Sequence, residues 1–153
     1  RWGMEWERYS IEEDADSRTY EFCSDGPNGR IRKAVRFQRA RKLGPNAYNL
    51  LFGDYDPETD HIDDRAITNN GDHRIILRTV AEAIEKFVNS YPQAIILLRG
   101  STASRSRLYQ MGISSAWLEI SSRYDVWGRR NADWSSFAKG VNYEEFLVFK
   151  KIS

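Results

Sequence analysis

Asn69-Asn70-Gly71-Asp72-His73-Arg74-Ile75-Ile76-Leu77-Arg78-Thr79-Val80-Ala81-Glu82-Ala83-Ile84-Glu85-Lys86-Phe87-Val88-Asn89-Ser90-Tyr91-Pro92-Gln93-Ala94-Ile95-Ile96-Leu97-Leu98 decides the fold. Asp72 is a good N-cap after a turn-forming Asn-Asn-Gly. Ile76, Val80, Ala83, Ile84, Phe87, Val88 and Tyr91 follow at spacings of 4, 3, 1, 3, 1 and 3, one apolar stripe on a helix. Pro92 stops that helix. The run 94–98 is too short for a helix and predicts a strand covered on both faces.

Upstream, the signals are those of antiparallel strands. Thr19–Ser24 predicts a strand closed by the turn Asp25-Gly26-Pro27-Asn28-Gly29. From Arg30 to Ala40 the chain alternates: Ile31, Lys33, Val35 and Phe37 share one face, while Arg30, Arg32, Ala34, Arg36 and Gln38 share a basic outer face. After Leu43-Gly44-Pro45-Asn46 a third strand is expected over Ala47–Tyr55, then a turn at 56–60 and a short strand over Ile62–Thr68. A strand–helix–strand crossover through the main helix places a parallel pair in the same sheet.

Downstream, a second helix is expected over Ala103–Met111, broken or bent at Gly112, with Ser114 able to cap a further helix through Ser122. Strands follow at Tyr124–Gly128 and Glu145–Lys151, with a short one at Trp134–Phe137 between them. The expected class is α+β: a single mixed, mainly antiparallel sheet in the order β-β-β-(β)-α-β-α-β-β, with helices on at least one face. Residues 1–18 read as an acidic, weakly ordered lead-in onto one domain over 19–153, with Trp2 and Trp6 free to dock on the body. Arg1 in place of an initiator Met suggests a truncated or processed chain.

At 153 residues and 41% hydrophobic, the chain is the size of one ordinary domain with a real core. It has no apolar run of about 18 residues and no signal-peptide pattern, so a soluble, cytoplasmic protein without a membrane partner is expected. The single cysteine, Cys23, excludes an internal disulfide and a multi-cysteine zinc site; a buried, inert thiol is expected. The net charge of +1 conceals blocks: −5 over 1–25, +7 over 26–50, −6 over 51–72, and three arginines with no acid over 99–109. The plain reading is that the blocks lie on neighbouring strands and pair. The functional reading is that basic segments meet an anion.

Four segments have side chains suited to chemistry. Arg99-Gly100-Ser101-Thr102-Ala103-Ser104-Arg105-Ser106-Arg107 sits where the buried strand gives way to a helix, a place where N–H groups and a partial positive charge face an anion. Gly100 is expected to let a ligand approach the backbone. Ser101, Thr102 and Ser104 offer hydroxyls, and Arg99, Arg105 and Arg107 offer forked donors for phosphate. The structural alternative is an ordinary N-cap with solvated arginines. Arg30, Arg32 and Arg36, with Arg39, Arg41 and Lys42 beyond, form the second basic group. Near aromatics they resemble the sheets of RNA-binding folds, without the usual aromatic signature. Asp54, Asp56, Asp63, Asp64, Asp72 and His73 are candidate catalytic acids, bases or divalent-metal ligands; the alternatives are a turn and a helix cap. His61 and His73 are the only histidines, and a surface position suits each. Last, Trp127, Trp134, Phe137, Tyr143, Phe146 and Phe149 read mainly as core, any exposed part being a partner surface.

Gly29-Arg30-Ile31-Arg32-Lys33, Tyr48-Asn49-Leu50-Leu51-Phe52-Gly53-Asp54-Tyr55, Ile62-Asp63-Asp64, Asn69-Asn70-Gly71-Asp72, Gly100-Ser101-Thr102 with Arg105, Arg107-Leu108-Tyr109-Gln110-Met111-Gly112-Ile113 and Gly140-Val141-Asn142-Tyr143 together resemble an uncharacterised family of bacterial proteins of about this length, a domain of unknown function, over about residues 19–151. That resemblance implies no activity. Small families of this kind are associated with toxin–antitoxin or phage-defence pairs. The element order also resembles the ribonuclease H-like fold, which needs an acid on its first strand, its first helix and the end of its fourth strand. Asp25 and Glu82 or Glu85 match the first two; Arg99-Gly100 stands at the third, against two-metal chemistry. The expectation is therefore a phosphate- or nucleic-acid-binding module, a component of a toxin–antitoxin or defence pair. A metal-dependent phosphoester hydrolase using the 54–73 acids, and a non-catalytic interaction module or homodimer, are the alternatives. No cofactor is expected, save a divalent cation under the hydrolase reading, and no metal ligands are assigned. The partners are nucleic acid, a phosphorylated ligand or another protein chain.

Overall fold

A computed structural model describes residues 7–65 and 69–152. Trp2, Trp6 and the end of the strand expected over Ile62–Thr68 lie outside the described residues. Among the described residues nine strands form one mixed, mostly antiparallel open sheet, in the order β1-β2-β3-β4-β6-β9-β7-β8 with β5 on β4. The strands are β1 (Glu12–Glu13), β2 (Thr19–Gly26), β3 (Gly29–Arg39), β4 (Ala47–Asp56), β5 (His61–Asp63), β6 (Ile95–Leu98), β7 (Tyr124–Arg130), β8 (Asp133–Ser136) and β9 (Glu145–Lys150). The helices are α1 (His73–Ser90), α2 (Ala103–Ser115) and α3 (Trp117–Arg123). This is the expected α+β class. No helix among the described residues is long and apolar enough to cross a membrane. The chain divides into two compact units, Arg1–Phe37 with Leu51–Phe87, and Gln38–Leu50 with Val88–Ser153.

In the first unit β2 and β3 make a hairpin in register from Thr19↔Arg36 to Gly26↔Gly29. The two-residue turn Pro27-Asn28 needs Gly29 at φ +90°, a conformation most side chains avoid. Alternation puts Tyr20, Phe22 and Ser24 on the face of Val35, Lys33 and Ile31. That face is the core. Phe37 stacks on Phe87 of α1 at 4.2 Å, Phe22 lies between Tyr9 and Phe52, and Ile76, Val80 and Ala83 of the helical stripe are buried. Each such side chain contributes about 1.5–3 kcal/mol by leaving water. The backbone N–H of Ile76 bonds to the carbonyl of Asp72, so the helix starts where the sequence placed it.

Residues 7–18, expected as a weakly ordered lead-in, are tied down. β1 pairs with β2, the Tyr9 N–H donates to Thr79 Oγ1 at 2.9 Å, and Asp16 accepts the N–H groups of Arg18 and Thr19. A two-residue strand has no period for a sequence pattern to reveal.

In the second unit the first half of β4 pairs parallel with β6, Ala47↔Ile95 to Asn49↔Leu97, as the crossover predicts. β9 then pairs antiparallel with both β6 and β7, and β8 closes the edge on β7. Val126, Phe146, Val148, Ile96 and Leu98 are buried on one face. Tyr143 packs there, its ring filling the space a Cβ at Gly128 would need; Phe137 joins it at 5.4 Å and reaches Trp117 of α3 at 4.7 Å. From α2, Gln110 donates to the Val141 carbonyl and accepts the Tyr143 N–H, fixing that loop on the helix.

Two helix boundaries differ from expectation. Gly112 does not break α2, which continues to Ser115. A glycine costs a helix about 1 kcal/mol, and buried Tyr109 and Ile113 on either side hold the turn in place. Ser114 does not cap α3; Ala116 stands at that position and offers no side-chain bond.

Candidate anion site at the start of the second helix

Four residues, 99–102, separate the end of the buried strand β6 from the start of α2. Thr102, extended at φ −134° and ψ 162°, is the N-cap: its side chain accepts the Arg105 N–H at 3.2 Å and its carbonyl the Ser106 N–H at 3.1 Å. Gly100 has a different role from the expected one. A Cβ there would lie 2.3 Å from the Ser106 nitrogen and 2.7 Å from the Arg105 carbonyl carbon. The missing side chain lets α2 pack on its own entry loop, rather than a ligand on the backbone. The Gly100 N–H donates to Ser106 Oγ at 3.0 Å, and that hydroxyl donates to the Glu144 carbonyl at 3.3 Å. Ser106 thus locks loop, helix and β9 entry together.

Ser101, Thr102, Ala103, Ser104 and Arg107 remain exposed. The N–H groups of Ala103 and Ser104 lie in the first turn, ahead of any intrahelical acceptor, and make no hydrogen bond among the described residues. No acid occupies that turn. Arg99, with its side chain 62% exposed, lies 3.8 Å from Glu145 Oε1; Glu145 also accepts Arg129 Nε, and Arg129 holds Glu144 at 2.9 Å. Arg105 is buried, the only basic side chain of the three so placed. Arg107 has no ion pair among the described residues.

The basic face of β3 is different. Arg30 is exposed, and the neighbouring Cys23 and Asp25 raise its pKa further; Arg32 lies 3.3 Å from Glu21; Arg36 donates to Thr19 Oγ1 at 2.9 Å and to Asp60 Oδ1 at 2.5 Å. Cys23 is half-buried on this charged face, not buried in the core as expected. These arginines neutralise the neighbouring acids, the plain outcome for alternating charge blocks.

The acids of 54–73 are likewise employed in the fold. Asp54 accepts Lys33 Nζ at 2.6 Å, and Lys33 is 4% exposed above the Phe52 ring. Asp56 accepts the Glu58 N–H and Asp63 the Arg65 N–H, both turn bonds. Asp72 is buried, its Oδ2 taking the hydroxyls of Tyr9 and Ser24 at 2.5 Å each, with Oδ1 unbonded among the described residues. Register brings Asp54 opposite Asp63 and Asp56 opposite His61, while Asp64 is half-buried and His73 exposed at the first residue of α1. Among the described residues no three His, Cys, Asp or Glu side chains are grouped to hold a metal ion. The 54–72 acids and the 99–107 segment belong to different compact units.

Two features escaped the sequence reading. Asp14 hydrogen-bonds Glu21; burial, that bond and the charges of Glu21, Asp16 and Asp60 push its carboxyl up to about 7. Next to them the Tyr55 phenol, donating to Asp60 at 2.8 Å, is pushed up to about 12, and the same bond with Arg36 lowers Asp60. The second is the exposure of Trp127 and Trp134, for which the alternation Val126-Trp127-Gly128-Arg129 was the available signal.

The chain belongs to a family of unknown function, DUF6934, whose family model matches residues 5–151 of the 153. No curated protein and no solved structure matches it.

Proposed function

We propose that this member of an unassigned family is a binding module for phosphate-bearing ligands, with the anion received at the start of α2. The observation that carries the reading is a contrast in pairing. Arg32 and Arg36 each have an ion-pair partner in their own unit, and Arg30 lies opposite Asp25 in the hairpin. Arg107 has none among the described residues, Arg99 has a loose and exposed one, and the first turn of α2 contains no acid. The N–H groups of Ala103 and Ser104, unbonded among the described residues, and the positive end of the helix dipole add to the same spot. Arg99 and Arg107 would grip phosphate oxygens with forked donors, while Ser101 and Ser104 add hydroxyl donors. Thr102 and Ser106 hold the turn in shape, and Arg105 acts from its buried position as support.

The test is titration with inorganic polyphosphate at about 50 and 200 mM salt, followed by calorimetry. Affinity is expected to fall with salt, and Arg107→Gln is expected to flatten the log–log slope by about one. Absence of binding at the lower salt, or a slope unchanged in Arg107→Gln, removes the reading.

A further inference from the structure

We propose that β8 is a docking edge for a second copy of this chain, joined across a two-fold axis at Ser135 so that the β6–β9–β7–β8 sheet continues from one copy into the other. The inference is independent of the phosphate site at α2 and uses the second unit alone.

β8 (Asp133–Ser136) is the last strand of the sheet and, among the described residues, pairs only with β7. The hairpin between them turns at Asn131 and Ala132, at φ 49° and 72°, the type I′ geometry whose closing pair is hydrogen-bonded. That pair is Arg130↔Asp133, and further along the Phe137 N–H donates to the Val126 carbonyl. Hydrogen-bonded pairs alternate along an antiparallel ladder. Asp133, Ser135 and Phe137 therefore turn their backbone groups to β7, and the N–H and C=O groups of Trp134 and Ser136 point away from the sheet. Those groups have no hydrogen-bond partner among the described residues. Every residue of β8 is exposed, Trp134 at 39%.

An open edge of this kind is a template for another strand, and proteins normally guard it with lysine, proline, a bulge or a covering segment. The Asp-Trp-Ser-Ser of β8 has none of these. At the opposite end of the sheet β1 is guarded by the exposed carboxylates of Glu12 and Glu13.

The chemistry of the edge chooses the occupant. Antiparallel pairing of β8 with itself about Ser135 sets Trp134 opposite Ser136 of the second copy. This register, and no other within the strand, joins every open N–H and C=O group on both copies. Asp133, the charged residue of β8, then has no like charge opposite it. Trp127 is in register with Ser136 of its own copy. Each small Ser136 therefore lies between that Trp127 and Trp134 of the other copy, and the two rings leave water together over it. Behind them Arg99, Arg129, Glu144 and Glu145 already neutralise one another, and the net charge of the chain is +1. A strongly charged partner of either sign gains nothing from such an edge, and two copies do not repel each other. A strand this short buries less than a standard interface, so the dimer is weak and concentration-dependent.

Sedimentation equilibrium of the full chain from about 1 µM to 1 mM tests the inference, with hydrogen exchange at both ends of that range. A monomer–dimer equilibrium is expected, without larger species because a two-fold contact closes. The Trp134 and Ser136 amides should exchange more slowly as the dimer forms. Ser136→Pro removes an outward N–H and leaves the bonds to β7 in place; it should abolish the dimer and keep the circular dichroism of the parent. Trp134→Ala should weaken the dimer by about 10-fold or more, since each copy loses its ring. Ser135 meets itself at the axis, so Ser135→Lys and Ser135→Asp should each be monomeric alone and form a mixed dimer when combined. If Ser136→Pro fails to fold, the Ser135 pair decides. A parent that stays monomeric up to about 1 mM overturns the inference. So does a dimer that survives both Ser135 variants, because the copies then meet on another surface. Assemblies that grow beyond the dimer, or Ser135→Lys and Ser135→Asp chains that do not combine, overturn it too.

Discussion

Gly100→Ala separates the two roles open to a glycine at the head of a basic helix. If Gly100 exists to let a phosphate reach the backbone, a methyl group there removes binding and leaves stability alone. The geometry argues otherwise. The added Cβ would meet the Ser106 nitrogen at 2.3 Å and two Arg105 atoms at 2.7 Å. Ordinary contact requires the first turn of α2 to withdraw by about 1 Å, and overpacking of this kind costs about 1–3 kcal/mol. The backbone of a helix cannot swing aside as a side-chain tip can, so the upper half of that range applies. Withdrawal also stretches the bond from the Gly100 N–H to Ser106 Oγ, worth about 1 kcal/mol. Alanine gains back about 0.4–1 kcal/mol from a less flexible unfolded chain. The net expectation is a loss of about 2–3 kcal/mol, or roughly 4–12 °C in melting temperature for a chain of this size. Urea unfolding followed by circular dichroism reads it, with Ser106→Ala as a milder control losing about 1 kcal/mol. A Gly100→Ala protein within about 0.5 kcal/mol of the parent, with polyphosphate binding abolished, would refute the packing argument and return Gly100 to the ligand.

Three further outcomes are expected. Lys33→Met should cost about 2–3 kcal/mol, below the 3–5 for a fully buried pair, because the Asp54 side chain it abandons is 24% exposed; adding Asp54→Leu should recover most of the loss, and a double variant worse than the single would sink the idea. Phe37→Ala, removing a ring with no exposure that stacks on Phe87, should cost about 3–5 kcal/mol, seen as a lower urea midpoint. Asp14 should make the protein less stable as pH rises: its carboxyl is pushed from 3.8 up to about 7 in the fold, by burial first and then by Glu21. The folded chain therefore holds a proton that the unfolded chain releases, and the stability this brings is complete below about pH 4 and lost through about pH 7. Urea midpoints that do not fall over that window, or an Asp14→Asn variant with the parent's pH dependence, would count against it.

The sequence made the fold legible wherever a long period was present. The stripe from Ile76 to Tyr91 and the run 94–98 together implied α1, β6 and the parallel pair with β4, all of which occur. Short or overridden signals were not legible. β1 is two residues long. Gly112 reads locally as a stop, yet Tyr109 and Ile113 are buried on either side of it, and tertiary packing exceeds a propensity of about 1 kcal/mol. Lys33 fell on the apolar face by alternation, but only the register of strands distant in sequence supplies Asp54. Trp127 and Trp134 were read within an aromatic run attributed to core. Phe137, Tyr143 and Phe146 are indeed buried, while the two tryptophans occupy the opposite parity.

The charge blocks carry the argument one step further. Hairpin register turns sequence neighbours of opposite sign into spatial neighbours: Arg30 faces Asp25, Arg32 reaches Glu21, Lys33 holds Asp54, and Arg36 holds Asp60. Such pairing needs an acidic block within strand reach of each basic one, and the blocks of −5, +7 and −6 before residue 73 meet that need. The 99–109 segment has no acidic block on either side of it in sequence. Glu144 and Glu145 arrive from β9 and its approach, and they are taken up by Arg129 and Arg99. Arg107 and the N–H groups of Ala103 and Ser104 have no partner among the described residues. Surface arginines are individually cheap to leave solvated, but a helix start that gathers arginines and excludes acids places positive charge where folding gains nothing from it. A bound anion is the component that would make use of this arrangement.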